Sequence, residues 1–473
     1  MDCRHIVGYS QFGNLKAQVM ERIVIIGAGE SGTGAALLAK AKGYDVFVSE
    51  QGTIKENYKA ELTDNQIEFE EGSHTVDKIL NANLIIKSPG VPDKAEIIQK
   101  AKANQIEIID EIEFGFRYLK GKVIAISGTN GKTTTTLLTY HLLKEGGVNV
   151  ALAGNVGESL ARKVATGIHD WYVIEISSYQ LDGTTTFRPD IAILLNITPD
   201  HLDRYEYKLQ NYVDSKFQLI SRMNRGDQFI AYAEDQILGK EISKRKIVPQ
   251  LHTISLKGDQ SSIASYDGSK MNFNIGEHPF SISQSDTSLK GPHNLINTMA
   301  AVSAACFVGI STKNIKNALR TFKNAPHRLE PIAKINNVEF VNDSKATNVD
   351  SVIYALGSYQ SPLIWIAGGV DKGNDYDLIR DQVKEKVKAL ICLGVDNTKL
   401  KSYFSDIVPR IMETQDVRDL VRMALKASAE GDVVLLSPAC ASFDLFKNYL
   451  DRGDQFREAV LELKNEIENT VAS

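Results

Sequence analysis

The chain has 473 residues, 43% of them hydrophobic and 24% charged, with a formal net charge of −5. That length suggests about three domains, each large enough to bury its own core. The weak negative charge gives no pull toward nucleic acid or an anionic membrane, and no run approaches the roughly 18 apolar residues of a membrane span. The four cysteines, Cys3, Cys306, Cys392 and Cys440, are scattered without a C-x-x-C pair or metal-ligand spacing, so a reduced, cytoplasmic setting is expected.

Residues 1–20 mix polar and apolar side chains without the apolar core of a signal peptide. They read as an extension outside the fold, and a chain started at Met20 is expected to keep its activity. The first strand, 21–26, runs into Gly27-Ala28-Gly29-Glu30-Ser31-Gly32. An Ala/Leu-rich helix to about residue 42 follows, then a second strand ending at Ser49-Glu50. Taken alone, this βαβ unit with its G-x-G-x-x-G turn and an acidic residue about 20 positions on reads as a dinucleotide fold, which would suit an NAD-dependent oxidoreductase. Such turns also hold nucleotide sugars. A later strand, 84–87, ends in Ser88-Pro89-Gly90, either a structural turn or part of a ligand crevice.

The second unit opens on I-A-I-S-G-T-N-G-K-T-T, residues 124–134. A β-branched strand, a Gly-rich turn and a Lys-Thr-Thr helix start form a phosphate cradle. Backbone N–H groups and the helix N-terminus face the phosphate, Lys132 brings a full charge, and the Thr133 hydroxyl suits Mg²⁺. Ile126 occupies the place of the usual first glycine, so this is a shortened form of the loop. The run W-Y-V-I-E-I-S-S-Y-Q (171–180) embeds Glu175 in a buried-type strand. That is costly unless the carboxylate is paired or metal-bound; the alternative is a surface-facing Glu on an edge strand. Strand 191–197 ends in T-P-D-H-L-D-R, where His201 sits among carboxylates. Lys216, in the helix after it, reads from the residues alone as a solvated lysine. In the helix from 291 onward Asn294 and Asn297 share a face, free either to bind a base or sugar or to cap the helix and face solvent.

Ala325-Pro326-His327-Arg328 marks a second boundary, giving domains at 21–115, 116–325 and 326–473. In the last domain, strands lead to N-D-S-K-A-T-N (342–348), G-G-V-D-K-G (368–373) and S-P-A-C-A-S-F-D (437–444). Polar and small residues gather where these strands end, which is where open α/β sheets place ligands. The fold expected is three α/β domains: an N-terminal Rossmann-like domain, a central P-loop ATPase-like parallel sheet and a C-terminal Rossmann-like domain.

Seven motifs in this order (G-T-N-G-K-T-T, E-I-S-S-Y-Q-L, N-I-T-P-D-H-L-D-R-Y, G-x-H-N-x-x-N, P-H-R, N-D-S-K-A-T-N and L-S-P-A-C-A-S-F-D) resemble the ATP-dependent Mur ligases, which extend the peptide stem of the bacterial cell-wall precursor. The first five are shared in part with folylpolyglutamate synthases; the last two look like the member that adds D-glutamate. The resemblance implies ATP and Mg²⁺, with two metal sites, and UDP-N-acetylmuramoyl-L-alanine and D-glutamate as the other substrates of a monomeric enzyme. It assigns Gly128, Thr129, Asn130, Gly131, Lys132, Thr133, Thr134, Asn294, Asn297, Arg328 and Asp343 to ATP. Thr133, Glu175, His201 and Lys216 would serve the metals, Lys216 as a carbamate. Lys132, His201 and Lys216 would be catalytic. Gly29, Ser31, Glu50, Ser88, Asn155 and His201 would hold the UDP-substrate, and Lys345, Thr347, Lys372 and Ser442 the D-glutamate. An oxidoreductase would leave the phosphate loop and the last domain without a role. A non-catalytic nucleotide-binding module would not need Lys132, Glu175, His201 and Lys216 together.

Overall fold

The computed structural model describes residues 21–472 apart from 203, 277 and 290. The expectation about residues 1–20 therefore falls outside the described residues. The chain divides into two compact units. The first takes the chain up to Lys120 together with Gly157–Ile168 and Tyr179–Phe187; the second takes Gly121–Val156, His169–Ser178 and Arg188–Ser473.

In the first unit β1 (Arg22–Ile26), β2 (Asp45–Glu50), β3 (Glu68–Glu71), β4 (Leu84–Lys87) and β5 (Glu107–Asp110) form a parallel sheet in the order β3-β2-β1-β4-β5. The β1 run R-I-V-I-I is buried from Ile23 onward, as a parallel strand covered on both faces must be. Strand order reverses between β1 and β4, so the loops leaving these strands flank a crevice at the carboxyl end of the sheet. The first turn of the helix Glu30–Ala41 needs glycine at position 32, where a Cβ would lie 1.8 Å from the Gly27 carbonyl oxygen.

The second unit contains two sheets. Nine strands make the larger one: β6 (Lys122–Ser127), β7 (Val150–Gly154), β8 (Trp171–Glu175), β9 (Ile191–Leu194), β10 (Gln228–Tyr232), β11 (Gln250–Ser255), β12 (Ala264–Tyr266), β13 (Lys270–Phe273) and β14 (Phe280–Ser283). Their order is β14-β13-β12-β11-β10-β9-β6-β8-β7. The sheet is parallel from β7 to β12, and the polar region that reads as short strands closes it as an antiparallel ribbon. The helices Lys132–Glu145 and Pro292–Val308 cover one face, sharing a core of Leu138, Leu142, Met299 and Val302 with Ile124 and Ile126 of β6.

The smaller sheet holds β15 (Glu330–Ile335), β16 (Val338–Asn342), β17 (Leu363–Ala367), β18 (Val387–Leu393), β19 (Ile411–Thr414) and β20 (Val433–Leu436), in the order β15-β16-β20-β17-β18-β19. Only β15 runs antiparallel. Three α/β sheets in series, each dominated by parallel strands, match the expected fold class. Because β20 lies between β16 and β17, the three loops rich in small and polar residues leave neighbouring strands.

Candidate active site

β6 lies between β9 and β8, so the phosphate loop after β6 meets the loops after both neighbours. The loop is wired to the end of β9 by Asn196. Its Oδ1 accepts from the backbone N–H of Thr129 (3.1 Å) and Asn130 (2.8 Å), and its Nδ2 donates to the Asn130 carbonyl (3.1 Å). Thr129 adds a hydrogen bond from Oγ1 to the Thr198 carbonyl. Gly131 takes the left-handed turn into the helix at φ +85°, where a Cβ would lie 2.4 Å from Asn297 Oδ1. Asn196 is not among the residues the sequence singles out; the only trace of it there is one amide closing an apolar strand.

Cations gather on this loop. Lys132 Nζ donates to the carbonyls of Gly128 (2.9 Å) and Thr129 (2.7 Å). Lys216, 1% exposed, donates to the same Gly128 carbonyl at 2.7 Å, with its ammonium 4.5 Å from the centre of the Tyr212 ring. It is therefore not the solvated lysine that the residues alone suggest. Arg328 Nη2 donates to Thr133 Oγ1 at 2.8 Å. Burial pulls the Lys132 ammonium below its ordinary pKa, Glu175 opposes that, and the Arg328 charge adds to it. A site that holds these charges together is built to take up anions.

Glu175 ends β8, which is paired on both sides, so it is not an edge-strand residue. It is 2% exposed. Oε1 accepts from Asn155 Nδ2 at 2.9 Å, while Oε2 is buried with no hydrogen-bond partner. A bare, buried carboxylate oxygen is expensive unless a cation meets it. Glu175 thus fits a Mg²⁺ that takes few protein ligands and several phosphate or water oxygens. Among the described residues no group of three His, Cys, Asp or Glu side chains is spaced to hold a metal by itself. His201 takes a left-handed backbone conformation, φ +53°, after β9. Its ring is 52% exposed, with Nε2 3.5 Å from Asp200 Oδ2.

Beside the loop a cavity opens between residues of the large sheet's layer and residues of the small sheet. Asn130, Gly131, Thr134, Asn294 and Asn297 line one side, and Arg328, Asp343, Lys345 and Tyr354 the other. Asn297 Nδ2 donates to Asn294 Oδ1 at 3.0 Å, and Thr135 Oγ1 to Asn297 Oδ1 at 3.2 Å. The two amides face inward, and Gly291 rather than Asn294 sits at the helix cap. His293 also lines the cavity, 5.4 Å ring to ring from Tyr354, with a buried Nδ1 that lacks a partner. Burial, with the Arg328 charge adding to it, holds its imidazole down to about 4, so it is neutral at pH 7. The sequence hid His293 inside a motif read for its asparagines.

The hinge 325–329 is fixed by His327, which is buried at φ +64°. Its Nδ1 accepts from Asn342 Nδ2 at 2.9 Å, and its carbonyl accepts from the Lys345 N–H. Asp343 closes the cavity wall. Leu329 N–H donates to its Oδ1 (3.2 Å) and Ser437 Oγ to its Oδ2 (3.0 Å). Burial outweighs these bonds and pushes its carboxyl up to about 7.

Lys345 and Thr347 lie in the loop after β16, Lys372 in the loop after β17 and Ser442 in the loop after β20. A bridge pairs Val370 with Ala441, and Ala439 N–H donates to the Ala346 carbonyl at 3.0 Å. Lys372 is exposed and Ser442 buried. The Lys345 ammonium stacks 3.8 Å above the Tyr449 ring centre as well as lining the cavity. In the first unit, Ala28 N–H donates to Glu50 Oε2 at 2.8 Å, so Glu50 braces the Gly27–Gly32 turn. Ser88 Oγ lies 3.4 Å from the Gly27 carbonyl, and Gly29 caps the helix whose first turn contains Ser31.

Three family models match the chain: the MurD N-terminal domain over residues 22–97, the Mur ligase middle domain over 126–305, and the Mur ligase glutamate ligase domain over 327–440. With relatives near 49% identity over almost the whole length, this chain belongs to the Mur ligase family. The chain is similar to the UDP-N-acetylmuramoylalanine--D-glutamate ligase of Christiangramia forsetii, 49% identical over 94% of this chain and 100% of the relative. The ligase of the same name from Cytophaga hutchinsonii is 49% identical over 94% and 99%. Among solved structures, the pseudomurein peptide ligase type C of Methanothermus fervidus superimposes with a TM-score of 0.61 at 18% identity, over 94% of this chain and 100% of that one, which shows the shared fold.

The Asp343 carboxyl gives a pH test. Its folded-state pKa of about 7 stands above the ordinary 3.8, so the folded protein binds this proton more tightly than the unfolded chain. Its contribution to stability is present at low pH and is lost as pH rises toward and through 7. Asp343→Asn keeps the oxygen facing the Leu329 N–H. It should raise the thermal midpoint relative to wild type most at pH 8, by less at pH 5, and hardly at all below the ordinary carboxylate pKa of 3.8. Equal differences at all pH values would contradict the buried, protonated carboxyl.

Proposed function

We propose that this chain joins the carboxyl group of UDP-N-acetylmuramoyl-L-alanine to the amine of D-glutamate, with cleavage of ATP to ADP and phosphate. The observation that carries the reading is the convergence of Lys132, Lys216 and Arg328 on one phosphate loop. It occurs in a chain about half identical, nearly end to end, to ligases of that name. The substrate carboxylate attacks the γ-phosphorus, an acyl phosphate forms, and ADP leaves. The amine then attacks the acyl carbon, phosphate departs, and the amine's proton passes to phosphate or solvent.

The first step brings a carboxylate against a triphosphate, and like charge is the barrier to it. Lys132 would offset charge on the β- and γ-phosphates, and Arg328 reaches the same place from the hinge. Loop N–H groups of residues 128–134 would cradle the phosphates. Asn294 and Asn297 suit the base and ribose, with Asp343 closing the wall. Thr133 and Glu175 would hold Mg²⁺, which when bound supplies charge neutralisation on the phosphates. A second ion would fit His201 and Lys216 only with Lys216 as a carbamate, since an ammonium donates hydrogen bonds and cannot ligate a cation.

The helix N-terminus at Gly29 and Ser31, with Glu50 and Ser88, suits a uridine diphosphate group. Asn155 would serve the muramoyl-alanine part from its place on Glu175. Lys345 and Lys372, with Thr347 and Ser442, suit an amino acid with two carboxylates. The enzyme would act as a monomer in the cytoplasm. The cysteines among the described residues, Cys306, Cys392 and Cys440, are all unpaired, which fits a reduced compartment.

Continued release of ADP, beyond one per enzyme, should require UDP-N-acetylmuramoyl-L-alanine and D-glutamate together, with L-glutamate inactive. Nucleotide cleavage indifferent to either substrate would refute the assignment. Lys132→Ala should lower kcat about a hundredfold or more with an unchanged circular-dichroism spectrum; an unaltered kcat would remove Lys132 from the chemistry. Lys216→Ala should be inactive and regain part of its rate with added acetate or formate. The wild-type enzyme equilibrated with ¹³C-bicarbonate should show a carbamate carbon resonance, and absence of both effects would exclude the modification.

A further inference from the structure

Behind the three loops of the small sheet lies Arg452, 2% exposed, in the first turn of the helix Tyr449–Ala472. Its guanidinium reaches all three. Nε donates to Ser344 Oγ (3.0 Å), and Nη2 to the carbonyls of Ser344 (2.9 Å) and Cys440 (3.3 Å). Nη1 donates to the carbonyls of Cys440 (3.2 Å) and Gly368 (3.4 Å). Ser344 Oγ in turn donates to the Tyr449 carbonyl at 2.8 Å, which ties the first loop back to the same helix turn. The acceptors are carbonyls and one hydroxyl. No carboxylate among the described residues pairs with Arg452.

This arrangement is poor value as a stability device. Hydrogen bonds to carbonyls and a hydroxyl offset only part of the desolvation cost of a buried cation that has no direct ion pair, and a packed apolar side chain would serve the core better. Burial does draw the guanidinium down, to about 10, which still leaves it charged at pH 7. What the guanidinium offers instead is geometry and field. Its planar fork spans fixed angles that a lysine cannot reproduce. Its charge, opposed by Asp444 without a direct ion pair, lies directly beneath Ser344, Gly368 and Cys440, next to the loop positions Lys345, Thr347, Lys372 and Ser442.

We infer that Arg452 is a positioning residue of the amino-acid site: it sets the spacing of the three loops and adds positive potential behind them, favouring an amino acid that carries two carboxylates. The inference rests on the reading that these loops receive the amino-acid substrate.

The test compares wild type with Arg452→Met, which keeps volume, Arg452→Lys, which keeps charge, and Arg452→Ala. KM is measured separately for D-glutamate, ATP and UDP-N-acetylmuramoyl-L-alanine. In the Met and Lys variants KM for D-glutamate should rise about tenfold or more, with KM for the UDP-substrate within about twofold of wild type. Methylguanidinium should restore part of the D-glutamate affinity of Arg452→Ala. An unchanged KM for D-glutamate, or three KM values rising together, would overturn the assignment. Should the Ala and Met variants fail to fold, the Lys variant decides by the same split. If the wild-type enzyme proves to use a different amino acid, the substrate reading fails, but KM for that amino acid still decides the role of Arg452. Hydrogen exchange decides it without any activity: the amides of Val370, Ala439 and Ala441 should lose protection in Arg452→Met, and unchanged exchange would count against the loop-spacing role.

Discussion

The Gly128 carbonyl takes two ammonium groups at once, from Lys132 and Lys216, while Arg328 reaches the Thr133 hydroxyl a few residues on. Like charges gathered in a partly desolvated place raise the free energy of the protein alone and lower that of a complex with anions. The rest of the second unit can be understood as what holds them there. β6 is central, so loops from β8 and β9 lie on either side of it. Asn196 clamps the loop backbone from β9, and Glu175 at the end of β8 is the strongest opposing charge on Lys132. The hinge carrying Arg328 is held by His327 against Asn342 of β16.

The same rule gathers the candidate site residues of all three sheets: polar side chains collect where parallel strands end. In the first unit it gives the Gly27–Gly32 turn facing Ser88 across the β1/β4 reversal. In the large sheet it gives the phosphate loop, Glu175 and the 196–201 segment. In the small sheet it gives three neighbouring loops, bound together from beneath by one arginine. Each sheet offers a polar rim on an apolar support. The rims differ chemically: a helix N-terminus, a cluster of cations, and a pair of lysines with small hydroxyl residues.

Much of this was legible in the sequence, because local patterns carry it. The phosphate loop shows itself through glycines followed by Lys-Thr. Glu175 shows itself because a carboxylate inside W-Y-V-I-E-I is conspicuous. Both features depend on a few consecutive residues. Lys216 was different: its sequence surroundings look solvated, and only the approach of its helix to Gly128, 88 positions earlier, makes it buried. Asn196, His293 and Arg452 escape a sequence reading for the same reason. Their neighbours lie far away in the chain, on loops after adjacent strands for Asn196 and Arg452 and on the helix carrying Tyr354 for His293, and no one segment writes that proximity. The assignment of Gly157–Ile168 and Tyr179–Phe187 to the first unit is likewise invisible to a reading that takes the chain in order, since these stretches lie between strands of the large sheet.

If the gathered cations let a carboxylate reach the γ-phosphorus of ATP, an oxygen atom must pass from that carboxylate to the released phosphate. UDP-N-acetylmuramoyl-L-alanine labelled with ¹⁸O in its free carboxyl group is turned over with ATP and D-glutamate, and the released phosphate is analysed by mass. One ¹⁸O atom per phosphate is expected, because the bridging oxygen of the acyl phosphate leaves with phosphorus. Phosphate free of label, formed at the same rate as amide, would contradict this route.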